Sequence, residues 1–213
     1  MRIAILTSAR SGSTSLFHFI QNHLPKTYTS ISEPFNNDWR TYYNFKKFDV
    51  TFFENQSNLF IKTFVSTDQI PLEFTDNHKD YWEWFMRYFD KVILLDRKDK
   101  NLQSESLAYM VNKKDFYSWQ KKQYYDLKTI TKEQIEDVKL RLENESEFIH
   151  SFSTKYPIYY FEDIYIKKDK KVIKSILHYL GLEMEELIYN MFIESDNRRI
   201  RLTEEESKIK KII

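Results

Sequence analysis

Ten residues near the start of the chain, Thr7-Ser8-Ala9-Arg10-Ser11-Gly12-Ser13-Thr14-Ser15-Leu16, gather small hydroxyl side chains around one arginine and one glycine. These residue types suit the capture of an anion. Backbone N–H groups of a tight loop and of a first helical turn converge on one point, where the helix dipole favours negative charge. The chain has two glycines, Gly12 and Gly181, where average usage of about 7% would give roughly fifteen. A sequence so poor in glycine keeps one here for a backbone reason, either a positive φ or close approach to a ligand. The alternative is an ordinary strand-to-helix turn with Ser13 as N-cap. Further along stand Glu33, in Ser32-Glu33-Pro34-Phe35, and Arg97, at the end of Val92-Ile93-Leu94-Leu95-Asp96-Arg97. Each falls just after a predicted strand.

The elements that must position these residues are legible as apolar runs. Arg2 to Thr7 suits a buried strand, and Thr14 to Leu24 reads as a helix. Tyr28 to Ile31 is a short strand, after which Pro34 biases Glu33 towards an extended conformation at a strand end or loop. Residues 36–56 are polar with interleaved aromatics and no period, either a wall around an acceptor or an excursion with its rings in the core. Leu59 to Val65 is a strand carrying one charge, Lys62, which either snorkels or faces a polar site. Residues 79–89 form an aromatic helix, Val92 to Leu95 a third buried strand, and Asn101 to Val111 a helix. Thr131 to Phe152 has helical spacing with Thr131 as N-cap, and Pro157 to Phe161 is another strand. Lys170 to Leu180 is a helix stopped by Gly181, and one more covers about Glu183 to Phe192. Strands alternating with helices predict one α/β domain over residues 1–213, a parallel sheet with helices on both faces. Ligands of such sheets bind beyond the carboxyl ends of the strands, where Ser8 to Thr14, Glu33 and Arg97 all fall.

The loop fails the Walker pattern G-x-x-x-x-G-K-[ST], with Thr7 in place of the first glycine and Ser13 in place of the lysine. It resembles instead the 5′-phosphosulfate-binding loop of the sulfotransferases, whose bacterial and carbohydrate members often read P-R-S-G-S-T-x-L. Ala9 stands where that pattern has proline. The segment from Val92 to Ser106 is similar to the family's 3′-phosphate site, an arginine at a strand end and a serine on the next helix. Here these are Arg97 and Ser106, with Ser104 as the alternative, and the spacing of nine from Arg97 to Ser106 is one more than the commonest. Ser32 to Phe35 resembles the family's E-P-F segment, and Tyr160 to Ile164 followed by Tyr179 to Leu182 resembles its late y-E-D-L … f-L-G-L segment. The resemblance runs in order from residue 3 to about 182.

It implies a P-loop-like three-layer fold, 3′-phosphoadenosine 5′-phosphosulfate (PAPS) as donor, no metal, and a hydroxyl of a carbohydrate, glycolipid or small molecule as acceptor. On it, Arg10, Ser11, Gly12, Ser13, Thr14 and Ser15 form the 5′-phosphosulfate loop, with Arg97 and Ser106 or Ser104 on the 3′-phosphate. Arg10, where many members carry a catalytic lysine, acts electrostatically, because its pKa above about 12 rules out general-acid work. Glu33 is the expected base, with His18 in reserve, and Lys62 either assists at the sulfuryl group or snorkels. Arg198 and Arg199 either clamp the donor or form a solvated basic face. Trp39, Tyr42, Tyr43, Phe45, Trp82 and Trp84 either stack on a sugar or pack the core.

Composition narrows the classes further. With 33 basic and 32 acidic side chains the formal charge is +1, which argues against a general nucleic-acid binder. The absence of cysteine excludes disulfides, thiolate metal sites and a cysteine nucleophile. No signal-peptide core opens the sequence and no run reaches the 18 apolar residues of a membrane span, so a cytoplasmic protein is expected. Two competing readings stand beside the sulfotransferase: a P-loop kinase, against which the missing loop lysine speaks, and a non-catalytic nucleotide-binding module.

Overall fold

The computed structural model describes residues 1–34, 54–66, 78–112 and 131–194, with the side chains of 109–112 excepted. The sequence features at 36–53, the aromatics Trp39, Tyr42, Tyr43 and Phe45, and the arginines at 198, 199 and 201 lie outside these residues. Among these residues five strands form one wholly parallel sheet: β1 (Arg2–Thr7), β2 (Thr29–Ser32), β3 (Leu59–Phe64), β4 (Lys91–Asp96) and β5 (Ile158–Tyr160). Their order across the sheet is β2-β3-β1-β4-β5. The helices are α1 (Ser13–His23), α2 (His78–Met86), α3 (Lys100–Asn112), α4 (Lys132–His150) and α5 (Lys170–Tyr179). A further helix, α6, covers 186–194.

The apolar runs are strands because a parallel sheet covered on both faces buries every position. Ile3, Ala4, Ile5 and Leu6 of β1 and Val92 to Leu95 of β4 have no solvent exposure. Alternate residues feed two cores. Ala4, Leu6, Ile61, Val92 and Leu94 meet α2 and the end of α4 through Trp82, Phe85, Ile149 and Phe152. Ile3, Ile5, Phe60, Ile93 and Leu95 meet α1, α5 and α6 through Leu16, Ile20, Ile173, Ile176 and Phe192. This is the expected three-layer α/β arrangement. Trp82 is fully buried in the first core and Trp84 packs against it, so these two rings serve packing.

Local signals fix most boundaries. Thr131 caps α4 in a capping box with Gln134. Asp169 caps α5, and Gly181 follows its end at φ 72°. Three details differ from the sequence reading. Helix α1 begins one residue early, so Gly12 rather than Ser13 is the N-cap. After β5 the chain enters a π-helical turn, Glu162–Ile166, which no periodicity announced. Glu33 lies at a strand end as expected, yet its φ is 57° rather than extended. The proline after it disfavours only the right-handed helical region. Two contacts with Lys62, backbone N–H to carbonyl at 2.6 Å and carboxylate to ammonium, select the left-handed one.

Candidate active site

The β1–α1 loop turns sharply over the carboxyl end of β1. Arg10 sits at φ 60° and Gly12 at φ 79°, with Ser11 between them. The hydroxyl of Ser11 is spent inside the loop, donating to the Ser8 carbonyl at 2.9 Å and lying against the Thr7 hydroxyl. Gly12, the N-cap of α1, supplies no side-chain cap to the helix start, whose dipole favours negative charge over this loop. Gly12 answers both backbone demands at once. Beside its positive φ, a Cβ there would lie 2.3 Å from the Tyr165 ring and 3.0 Å from Phe161. The close approach is thus to aromatic rings of the β5–π corner, and Tyr165 also donates its hydroxyl to the Gly12 carbonyl at 2.6 Å.

Arg97 follows β4 and reaches towards the loop, its Nη1 3.4 Å from the Arg10 carbonyl. Its guanidinium lies 4.4 Å from the centre of the Phe161 ring. Its Nε is buried and has no hydrogen-bond partner among the described residues. Burial lowers the Arg97 pKa from its ordinary value, with Glu162 and Asp99 opposing that effect and Arg10 adding to it. A buried guanidinium with an unspent N–H beside a second arginine suits a bound anion. Glu162 itself is occupied, accepting the backbone N–H groups of Lys98 and Asp99 at 3.0 Å each.

Of the two serines on α3, Ser106 accepts Arg10 Nε at 2.8 Å, whereas Ser104 is fully buried and returns its hydroxyl to the Asn101 carbonyl at 2.9 Å. Arg10, Ser106 and Arg97 therefore form one connected group, and Ser104 turns away from it. Ser13 and Ser15 are both buried at the start of α1. Thr14 faces the other side of the site and accepts Lys62 Nζ at 3.2 Å.

Lys62 is the charged residue in β3 that the sequence left with two readings. Its side chain has no solvent exposure and pairs with Glu33, whose side chain is 18% exposed. It faces a polar site. Burial lowers the Lys62 pKa from its ordinary value, and Glu33 pulls it back up. The ion pair links the end of β2 to the middle of the sheet and, through Thr14, to the first turn of α1. The two non-glycine residues held at positive φ around these strand ends are Arg10 and Glu33, the candidates for charge stabilisation and proton removal. Left-handed backbone at such residues costs about 1–2 kcal/mol each and persists only where surrounding contacts enforce it.

Asp96, the last residue of β4 and the carboxylate that a metal-dependent phosphotransferase would need there, is committed elsewhere. It accepts Lys100 Nζ at 2.7 Å, Ser8 Oγ at 3.3 Å and the Ser146 hydroxyl, and His150 Nε2 lies 3.3 Å away. Among the described residues no group of three or more His, Asp or Glu side chains is placed to hold a metal ion. No helix among them is long and apolar enough to cross a membrane. His18, the reserve base, makes its ring contact with Gln21 along its own helix at 3.2 Å.

No family model and no curated protein matches the chain by sequence. Comparison of the fold finds mouse sulfotransferase SULT7A1, crystallised with PAP, at a TM-score of 0.58 and 14% identity. This chain has the same fold. The likeness covers 92% of this chain and 64% of the mouse protein, so the chain spans somewhat less than two thirds of that neighbour's length.

Proposed function

We propose that this chain is a sulfotransferase that moves a sulfuryl group from PAPS to a hydroxyl of a carbohydrate, glycolipid or small molecule. One observation carries the reading. The β1–α1 loop, the linked Arg10, Ser106 and Arg97, and the Glu33 carboxylate paired with buried Lys62 lie on the same side of the sheet, which supports a site for a doubly anionic donor and an acceptor hydroxyl. The neighbour crystallised with PAP has the same fold, which supports the choice of donor.

PAPS supplies an activated sulfuryl group, and the residues of this chain divide the remaining work. Loop N–H groups and the Arg10 guanidinium face the negative charge that builds on the leaving phosphate as its bond to sulfur breaks. Arg97 and Ser106 hold the 3′-phosphate, which distinguishes the donor from ATP. Glu33 takes the proton of the acceptor hydroxyl while that oxygen forms its bond to sulfur, a contribution typically worth about 10²- to 10⁴-fold. Lys62 orients the Glu33 carboxylate and presents a cation between it and Thr14.

The test is thermal stabilisation and calorimetric binding with 3′-phosphoadenosine 5′-phosphate, set against ATP with magnesium. At about 100 times Kd a ligand adds roughly 2.7 kcal/mol to stability, a clear melting shift. Stabilisation by the 3′-phosphorylated nucleotide that disappears in Arg97→Ala supports the donor assignment. Stabilisation by ATP and magnesium alone overturns it in favour of a kinase.

A further inference from the structure

Beneath the anion-type loop lies a closed ring of four side chains that the proposed chemistry does not use. Lys100 Nζ donates to Asp96 Oδ1 at 2.7 Å and to Gln103 Oε1 at 3.1 Å. Gln103 Nε2 donates to Ser8 Oγ at 2.9 Å, and Ser8 Oγ donates to Asp96 Oδ1 at 3.3 Å. Gln103 has no solvent exposure and Asp96 has 1%. The ring ties the ends of β1 and β4 to the first turn of α3. The second proton on Gln103 Nε2 leaves the ring and reaches the Ala9 carbonyl at 2.6 Å. The amide's orientation is forced by its partners: an ammonium only donates and a backbone carbonyl only accepts, so oxygen faces Lys100 and nitrogen faces the loop.

We infer that Gln103 is a positioning residue that sets the anion-binding geometry of the loop through the Ala9–Arg10 peptide. A trans peptide is planar, with its C=O and N–H pointing opposite ways. Pinning the Ala9 oxygen inward on Gln103 therefore turns the Arg10 N–H outward and holds Arg10 at its φ of 60°. The same constraint aims the Arg10 side chain at Ser106, one turn further along the helix that carries Gln103. Without the amide, the left-handed conformation of Arg10 loses a contact that enforces it. The inference rests on the reading of the loop as the 5′-phosphosulfate site.

The experiment is calorimetric binding of 3′-phosphoadenosine 5′-phosphate, and of ATP with magnesium, to the wild-type chain and to Gln103→Met. Methionine fills a similar volume without donors, so a packing role alone leaves affinity unchanged. The inference expects affinity to fall roughly 10- to 100-fold, as the loss of buried hydrogen bonds implies. It also expects faster amide exchange across residues 8–14 than across β4. Where Gln103→Met fails to fold, the wild-type protein still decides: the Gln103 side-chain amide protons must exchange far more slowly than those of a free glutamine. Exchange at the free rate overturns the clamp, as does equal affinity in Gln103→Met, and either result leaves the sulfotransferase reading standing if the wild type binds the 3′-phosphorylated nucleotide. A wild type that binds only ATP overturns that reading, and the clamp is then judged with ATP. Binding of neither overturns both.

Discussion

The Glu33–Lys62 pair gives the sharpest test of the site's electrostatics. Lys62 is wholly buried, so removing the charge of its partner leaves an ammonium in a low-dielectric setting with Thr14 as its hydrogen-bonding neighbour. Breaking a fully buried pair costs about 3–5 kcal/mol, and the 18% exposure of Glu33 places this one nearer 2–3 kcal/mol. Glu33→Gln, which preserves shape, is expected to lower the melting temperature by roughly 5–10 °C for a domain of this size. Lys62→Met alone costs less, because the Glu33 carboxylate can rehydrate. The double variant Glu33→Gln/Lys62→Met recovers most of the loss, giving a coupling energy of about 2 kcal/mol by chemical denaturation. Proton linkage adds a second readout. The Lys62 pKa lies below its ordinary value of 10.5, so between its folded pKa and 10.5 the unfolded chain binds more protons and stability rises with pH. Glu33→Gln removes the contribution that raises this pKa and extends the window downward, whereas Lys62→Met abolishes it. The tyrosines at 28, 159 and 179, whose pKa values are raised, act in the opposite sense, so the comparison is made between variants. A coupling energy under about 0.5 kcal/mol, with superimposable pH profiles, would refute the claim that the two charges are held as a buried pair.

Other consequences are more local. Gly12→Ala combines a left-handed backbone with a Cβ 2.3 Å from the Tyr165 ring, so it should cost more than about 2 kcal/mol in a thermal melt and remove nucleotide binding together. Tyr165→Phe keeps the ring over Gly12 but deletes the 2.6 Å hydrogen bond to its carbonyl, and should cost about 1 kcal/mol with faster amide exchange confined to residues 10–16. Thr131→Ala breaks the capping box of α4 and should cost about 1 kcal/mol while leaving nucleotide affinity unchanged, measured by denaturation and calorimetry.

The strands were legible because parallel strands buried on both faces are near-continuous apolar runs, and the turn after β1 because small residues around Gly12 break the apolar run before helical spacing begins. The cap at Thr131 and the stop at Gly181 were legible for the same local reason. What sequence does not carry is the choice among conformations that tertiary contacts make. Pro34 excludes one backbone region for Glu33, and Lys62 selects between the two that remain. Lys62 itself had two readings until burial decided for the polar one. The π-helical turn at Glu162–Ile166 has no period to detect, so the rings that exploit the bare Cα of Gly12 were invisible. Gln103 gave a faint signal, lying three residues after Lys100 and three before Ser106 on one helix face, but glutamines at such spacings are common on solvated helices.

The strand order sets when the site can exist during synthesis. Strand β1 is made first yet lies at the centre of the sheet, and its hydrogen-bonding partners are residues 59–64 on one side and 91–95 on the other. Strand β2 is no earlier, since among the described residues it pairs with β3 alone. Neither the loop over β1 nor the Glu33 turn has a sheet to stand on until β3 has emerged, and Arg97 joins only after β4. Long-range parallel pairing of this kind forms slowly, because loop closure precedes any reward. The β1–α1 loop, the Glu33 turn and the arginine pair therefore assemble in steps as β3 and then β4 emerge, and a shorter nascent chain carries the loop sequence without the candidate site.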